Sequence, residues 1–209
     1  AAVARTFNLE RQITAVDISP KMLERARSCF AELGLSGIVC REGRAEELPV
    51  EDNSQDLILA SLSFMYVVDR AAAAREIARA LTPDGKFIAV VWGSRDNTDI
   101  VRFQEIAGSF APTPPVTAVG PGSLGDPQPF VTALQEQGLT VTVDSIVTTF
   151  EFPDFDTSWV PLAGVTAKKL DKDTLHRARA AVYSEMWPDG DGPRVFQNTT
   201  QYITAVKSP

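Results

Sequence analysis

The stretch Ile13-Thr14-Ala15-Val16-Asp17-Ile18-Ser19-Pro20 decides the fold class. A short apolar run ends in Asp17, and the signals for a helix start follow at once. Ser19 is a good N-cap residue, and a first helical turn tolerates proline because its N–H would be unpaired there. The spacing of apolar residues predicts a helix over 21–33 that ends at Gly34. The stretch therefore predicts a buried strand with an acid at its carboxyl end.

The position of Asp17 has two interpretations. In open α/β sheets ligands bind at the carboxyl ends of the strands, where a carboxylate can accept hydrogen bonds from both hydroxyls of a ribose. An acid beside a helix N-terminus is also favoured by the helix dipole, which would make Asp17 part of an ordinary surface turn. From this stretch alone both interpretations stay open.

The first half of the chain alternates strand and helix patterns. The patterns predict strands at 37–41, 56–62 and 87–92, and a helix over 70–81. The run at 56–62 is almost continuously apolar, as in a strand covered on both faces. Thr82-Pro83-Asp84-Gly85 is typical of a turn in which Gly85 is free to take a positive φ. This alternation predicts an α/β domain with a parallel sheet.

The second half is more varied. It predicts helices at 98–110, 126–137 and 168–186, strands at 139–152 and 195–206, and an aromatic segment around Trp159. The strand at 195–206 is expected to be antiparallel. The connection at 111–129 is rich in proline and glycine, and connections of such length are often functional loops. We expect it to be a mobile lid over a site.

Composition narrows the partners. The 209 residues carry a net charge of −7, which disfavours a nucleic-acid partner. No run is apolar and long enough to predict a membrane span, and no signal-like segment opens the sequence, so the cytoplasm is the expected compartment. Cys29 and Cys40 have no metal-ligand spacing and are expected to be core thiols. We therefore expect no metal, and a homodimer stays open.

Four segments then resemble, in the correct order, the motifs of class I S-adenosylmethionine-dependent methyltransferases. They are ITAVDISPKML at 13–23, EGRAEELP at 42–49, SQDLIL at 54–59 and RALTPDGKF at 79–87. The resemblance is strongest to the small-molecule group that includes quinone-biosynthesis methyltransferases. Each motif alone would be weak, but four in order make the match specific for the first half of the chain.

The resemblance implies a Rossmann-like, doubly wound and mostly parallel sheet with an antiparallel C-terminal strand and a helical, aromatic insert. Residues 1–110 would form the cofactor-binding core. Residues 111–209 would supply the lid loop, a helix, a strand, the substrate-side insert and the closing strand of the same domain. The implied activity is transfer of a methyl group from S-adenosylmethionine to a small-molecule acceptor by in-line displacement.

The resemblance also implies the cofactor site. Its residues would be Asp17, Ile18, Met22, Arg44, Ala45, Glu46 and Ser61. Asp17 would accept from the ribose hydroxyls, and Ile18 and Met22 would lie against the adenine. Many relatives carry an acid where this chain has Arg44. Because arginine only donates hydrogen bonds, the adenine contact would fall to the backbone of Ala45 or to stacking.

No general base stands out, and the chemistry does not demand one. Holding the reactants in near-attack geometry supplies roughly 7–11 kcal/mol of the barrier. A general base adds only about 10²–10⁴-fold in rate. His176, the one histidine, falls off the apolar stripe of its helix and is expected in solvent. Tyr66 is expected to be a pocket wall and Asp69 a helix N-cap, while Trp159 and Trp187 would serve an apolar substrate or pack the insert.

The glycine-rich first motif of the family would lie before Ala1. Removing a central strand would leave two neighbours with unpaired N–H and C=O groups, so we expect the sequence to be part of a longer chain. The strands at 13–17 and 57–61 would flank the absent strand. We therefore expect no direct backbone pairing between them.

Two other functions fit some of these residues. A binding or scaffold protein of methyltransferase descent could keep the motifs after losing the cofactor. An NAD-dependent oxidoreductase could use Asp17 for its own ribose, although the turn at 82–85 and the Ala45 motif resemble the methyltransferase pattern.

Overall fold

A computed structural model describes residues 13–112 and 119–208. The strands are β1 (Ile13–Asp17), β2 (Ile38–Glu42), β3 (Gln55–Ser61), β4 (Leu81–Trp92), β5 (Leu139–Phe152) and β6 (Arg194–Lys207). The α-helices are α1 (Pro20–Glu32), α2 (Arg70–Ala80), α3 (Asp99–Gly108), α4 (Gln128–Glu136), α5 (Phe155–Ala167) and α6 (Lys172–Met186). Short 3-10 helices follow β3 at Phe64–Tyr66 and β4 at Arg95–Asn97.

The strands form two sheets. β1 and β2 pair in parallel, and a second sheet has the order β3-β4-β6-β5. β3 and β4 are parallel, while β6 is antiparallel to both β4 and β5. Within the described ranges β6 is thus the one reversed strand, which confirms the predicted α/β class with an antiparallel C-terminal strand.

β1 and β3 do not pair with each other. In the described part of the chain, the ladder partner of β1 is β2 and that of β3 is β4. The expectation that 13–17 and 57–61 would not pair is confirmed. Burial differs from the prediction, since β1 is partly exposed along its length and Leu59 of β3 is 44% exposed. In the described residues, β1 and β3 are each paired along one edge. The candidate site described below lies between these two strands.

Helix α1 begins and ends as its sequence predicts. The Ser19 hydroxyl accepts from the Met22 N–H, and Gly34 takes a φ of 66° just after the helix. The helix buries only Leu23 among its residues. Cys29 is therefore exposed, and the prediction that it is a core thiol is wrong.

The turn before the core of β4 differs in detail from its prediction. The positive φ belongs to Asp84, at 62°, and not to Gly85. A Cβ atom at Gly85 would lie 2.8 Å from the Thr82 carbonyl oxygen and 3.1 Å from that of Gln55. The ladder between β3 and β4 shifts register at this point. Glycine is thus required for the close approach of two backbones, not for its own dihedral angle.

Two apolar cores cover the larger sheet. In the first, Phe64, Phe87 and Phe130 stack with ring centroids 5.1–6.1 Å apart beneath α2 and α4. The second lies among α3, α5 and α6. The aromatic segment predicted around Trp159 is helical, with Pro161 inside the helix. Trp159 and Trp187 are 6% and 3% exposed, so they pack the insert and present no open face to a substrate.

The described end of the proline-rich connection is firmly anchored. Leu124 is fully buried, and the Gln201 side-chain amide donates to the Leu124 and Gly125 carbonyl oxygens over 3.2 and 3.1 Å. The Met65 carbonyl accepts from the Gly120 N–H and the Ser123 hydroxyl. The part of the predicted lid at 119–125 is thus hydrogen-bonded to β6 and to the turn at Phe64–Tyr66, and its motion over a ligand stays a prediction. Residues 113–118 of that prediction lie outside the described residues.

We expect Gln201→Leu to lower the free energy of unfolding by about 1–3 kcal/mol, because two buried carbonyl groups lose their donor. Urea denaturation followed by circular dichroism measures this change. Gln197→Leu, an exposed position on the same strand, is the matched control and should stay within about 0.5 kcal/mol of the parent. Equal stability of the Gln201 variant and the parent would contradict the anchoring role.

Candidate functional site

A cavity of about 540 Å³ lies between β1 and β3. Its walls are the end of β1, the connection between β2 and β3, β3 itself and the segment that follows β3. Six of its lining residues were predicted for the site or its wall: Asp17, Ile18, Arg44, Ala45, Glu46 and Tyr66. The structure therefore brings together parts of the chain that the sequence connected only through motif order.

Asp17 stands at the end of β1 with its carboxylate held in place. Its Oδ1 accepts from the Ser19 N–H over 2.8 Å, which ties the acid to the turn that begins α1. Within the described ranges no hydrogen bond is found at Oδ2. One oxygen of the Asp17 carboxylate is thus held by the Ser19 N–H. The other oxygen has no hydrogen-bond donor among the described residues, so it can accept a hydrogen bond from a ligand.

Two of the predicted cofactor residues are not in the cavity lining. Met22 is 52% exposed on the first turn of α1, and Ser61 is exposed at the end of β3. Their neighbours Ile18, Ala60 and Ser63 do line the cavity. The cavity thus includes residues close to Met22 and Ser61 but not these two side chains, and their cofactor roles stay predictions.

The carboxylate of Glu46 makes contacts that the sequence did not indicate. Its Oε1 accepts from the backbone N–H groups of Val68 and Asp69 over 3.3 and 3.4 Å. Its Oε2 lies 3.6 Å from Arg44 Nε. The Arg44 side chain is 54% exposed, so this ion pair contributes little to stability. No local pattern could reveal the longer contact, because its partners lie more than twenty residues away.

Arg79 holds the connection between β2 and β3 in place. Its guanidinium donates to the carbonyl oxygens of Leu48 and Val50 and to the carboxylates of Asp52 and Glu76. Leu48 and Val50 line the cavity. Hydrogen bonds from Arg79 lower the pKa of Glu76, and the Glu76 bond raises the pKa of Arg79. From the sequence, Arg79 was noted only as the first residue of the motif at 79–87.

The candidate proton-transfer groups fall as expected. Tyr66 is 57% exposed at the cavity wall, and the partial burial of its hydroxyl raises the pKa of that group. Asp69 caps α2 by accepting from the Ala72 N–H over 2.8 Å, which confirms the N-cap prediction. His176 is exposed on α6 and does not line this cavity.

Among residues 13–112 and 119–208, no group of three or more His, Cys, Asp or Glu side chains is arranged to hold a metal ion. In the same ranges, none of the helices combines the length and the apolar character needed to cross a membrane.

The sequence and the fold both match known proteins. A family model described as a methyltransferase domain matches residues 1–89. A Danio rerio protein named mitochondrial arginine-hydroxylase NDUFAF5 is 31% identical, over 93% of this chain and 68% of that protein. The crystal structure of the YcgJ protein from Bacillus subtilis superposes with a TM-score of 0.67 at 21% identity, over 95% of this chain and 83% of that one.

Other relatives match a smaller part. An uncharacterized methyltransferase-like protein of Schizosaccharomyces pombe is 36% identical over 102 residues, which is 48% of this chain. The chain spans only 37% of the length of that relative.

The pair formed by Arg79 and Glu76 predicts a specific dependence of stability on pH. The pKa of Glu76 is lower in the folded state, so its contribution is present above the ordinary glutamate pKa and is lost as pH falls through the folded pKa. At neutral pH we expect Glu76→Gln to lower the free energy of unfolding by about 1–3 kcal/mol. This difference from the parent should shrink as the pH is lowered into the acid range.

Urea denaturation at a series of pH values measures the effect. Glu32→Gln removes a carboxylate from an exposed position at the end of α1 and is the control. A difference between the Glu76 variant and the parent that does not change with pH would show that the ionised pair is not the cause.

Proposed function

The chain belongs to the class I S-adenosylmethionine-dependent methyltransferase family, and from this premise we propose that it transfers a methyl group from S-adenosylmethionine to a small-molecule acceptor by in-line displacement. The observation that carries the proposal is the cavity, where Asp17 and the 44–46 segment meet at the carboxyl ends of β1 and β2. Ligands of α/β sheets bind at this edge.

The residues present fit the cofactor. A volume of about 540 Å³ falls in the usual range for ligand pockets, roughly 300–1,000 Å³. Asp17 would accept from the ribose hydroxyls, Ile18 would lie against the adenine, and the backbone of Ala45 would lie at the adenine edge. S-adenosylmethionine supplies, when bound, a methyl group activated by a positively charged sulfur. The apolar walls formed by Leu57 and Phe64 would limit the access of water to that group.

The two halves of the chain would have separate roles in binding. Residues 1–110 would form the cofactor-binding core, and residues 111–209 the substrate side of the same domain. The insert α5–α6 leaves β5 at its carboxyl end, and β5 points in the same direction as β4. This places the insert at the ligand edge of the sheet and supports its assignment to the acceptor. The cytoplasm is the proposed compartment, on the composition of the sequence alone.

Asp17 provides the direct test of cofactor binding. We expect Asp17→Ala to weaken S-adenosylmethionine binding by roughly 1.5–3 kcal/mol, as for a lost charged hydrogen bond. Part of that loss could come from the turn, because Ser19 also loses its acceptor. Asp17→Asn keeps an oxygen for the Ser19 N–H while removing the charge, and we expect it to weaken binding as well.

Isothermal titration calorimetry with S-adenosylmethionine measures both affinities, and a titration with NAD tests the oxidoreductase alternative. Asp84→Asn, which removes a carboxylate far along the chain at the turn in β4, is the control. Unchanged affinity in both Asp17 variants would remove Asp17 from the site.

A second candidate function comes from the relative that matches most of the chain. Its name assigns it hydroxylation of arginine, and it shares 31% identity over 93% of this chain. By analogy, the acceptor here would be an arginine side chain, with molecular oxygen and a two-electron reductant as co-reactants. One oxygen atom would enter the arginine C–H bond to give a hydroxyl group, and the other would leave as water. The acceptor would then belong to a protein or peptide.

Mass spectrometry separates the two functions. We expect S-adenosylmethionine carrying a labelled methyl group to label small molecules of a cell extract in the presence of the protein, with Asp17→Ala as the inactive control. Arginine-containing peptides should stay unmodified in the same reaction. An arginine that gains the mass of one oxygen, with no transfer of label, would instead favour the hydroxylase.

A further inference from the structure

The side chain of Glu46 connects two segments of the cavity lining that lie more than twenty residues apart in the sequence. Glu46 belongs to the connection between β2 and β3, which carries the proposed adenine side of the site. Its Oε1 is shared between the N–H groups of Val68 and Asp69, which belong to the segment after β3. The side chain is only 16% exposed. Both N···O distances are long for hydrogen bonds, so the contact depends on one acceptor oxygen being shared by two neighbouring donors.

The segment that Glu46 contacts, between β3 and α2, forms another part of the cavity wall. Ser63, Phe64, Tyr66, Val67 and Val68 all line the cavity. The chain enters this segment through Leu62, which has a φ of 51°, a conformation that costs a non-glycine residue roughly 1–2 kcal/mol. Such strain persists where the surrounding contacts impose it.

The beginning of the same segment is hydrogen-bonded to the connection at 119–125. The Met65 carbonyl oxygen accepts from the Gly120 N–H over 2.9 Å and from the Ser123 hydroxyl over 2.7 Å. Ser123 in turn accepts from Arg70 over 2.8 Å. These contacts join the turn at Phe64–Tyr66 to the connection at 119–125 and to α2. The contact with Glu46 is at the other end of the segment and joins it to the connection between β2 and β3.

We propose that Glu46 is a positioning residue that fixes the wall formed by 66–69 relative to the adenine side of the cavity. This role replaces the cofactor contact that the family resemblance implies for Glu46. The proposal rests on the proposed function, since it assigns the two walls to S-adenosylmethionine and to the acceptor. Binding of the cofactor against 44–46 would then order the acceptor wall through Glu46. Glu46 acts through its oxygen as an acceptor, because its ion pair with Arg44 is exposed and weak.

Three variants separate this role from others. Glu46→Ala removes the acceptor, and Glu46→Asp keeps the charge but withdraws it by one methylene from the Val68 N–H. Glu46→Gln keeps an oxygen acceptor in the same place and loses the charge. Glu51→Ala removes a carboxylate from an exposed position of the same connection and is the matched control.

The experiment is amide hydrogen exchange of the full chain, read for the amides of Val68 and Asp69, with and without S-adenosylhomocysteine. Calorimetry on the same samples gives the affinity for that ligand. In Glu46→Ala and Glu46→Asp we expect exchange at these amides to rise by about tenfold or more, and the protection added by ligand across 66–69 to be lost. The affinity should change by less than about threefold, and Glu46→Gln and Glu51→Ala should resemble the parent.

The outcomes are distinct. Unchanged exchange in both Glu46→Ala and Glu46→Asp would overturn the proposal. A loss of affinity as large as the change in exchange would also overturn it, because Glu46 would then be a ligand of the cofactor. Failure of Glu46→Gln to resemble the parent would show that charge, not the acceptor, is required. If the parent binds no S-adenosylhomocysteine, the proposed function fails, but exchange in the ligand-free variants still tests the contact.

Discussion

The guanidinium group of Arg79 carries a constraint on which the candidate site depends. In the described residues no strand ladder joins the pair β1–β2 to the larger sheet. The connection between β2 and β3 passes from one sheet to the other. Arg79, on α2, donates to two carbonyl groups and two carboxylates along and beside that connection. One planar group with five donors thus holds in place a stretch that has no regular structure.

The cavity inherits its shape from this arrangement. Leu48 and Val50, which line it, lie within the part of the connection that Arg79 holds. Glu46 lies two residues before Leu48 and accepts hydrogen bonds from the backbone N–H groups of Val68 and Asp69. Arg79 therefore fixes the connection on α2, and Glu46 fixes the wall before α2 on the connection. The contacts of Arg79 and Glu46 together link the connection between β2 and β3 to α2 and to the segment that precedes α2.

The family explains the fold and the cofactor-binding edge, but chemistry is decided by residues within the site. The zebrafish relative illustrates the distinction, because its name gives hydroxylation of arginine while its sequence aligns with most of this chain. In this chain the acidic residues near the cavity have separate tasks. Asp17 accepts from the Ser19 N–H, Asp69 caps α2, and Glu46 accepts from the backbone N–H of Val68.

The sequence by itself determined the elements whose signals are local. Ser19 and Gly34 delimit α1, Asp69 caps α2, and the alternation of strands and helices predicted the sheet class and the reversed final strand, because capping and periodicity act over a few residues. Only the tertiary structure decided which side chains meet across long separations. Glu46 finds Val68, Gln201 anchors Leu124, and Gly85 is required where two backbones approach closely. Such contacts depend on how elements pack after they form, and no pattern of neighbouring residues encodes them.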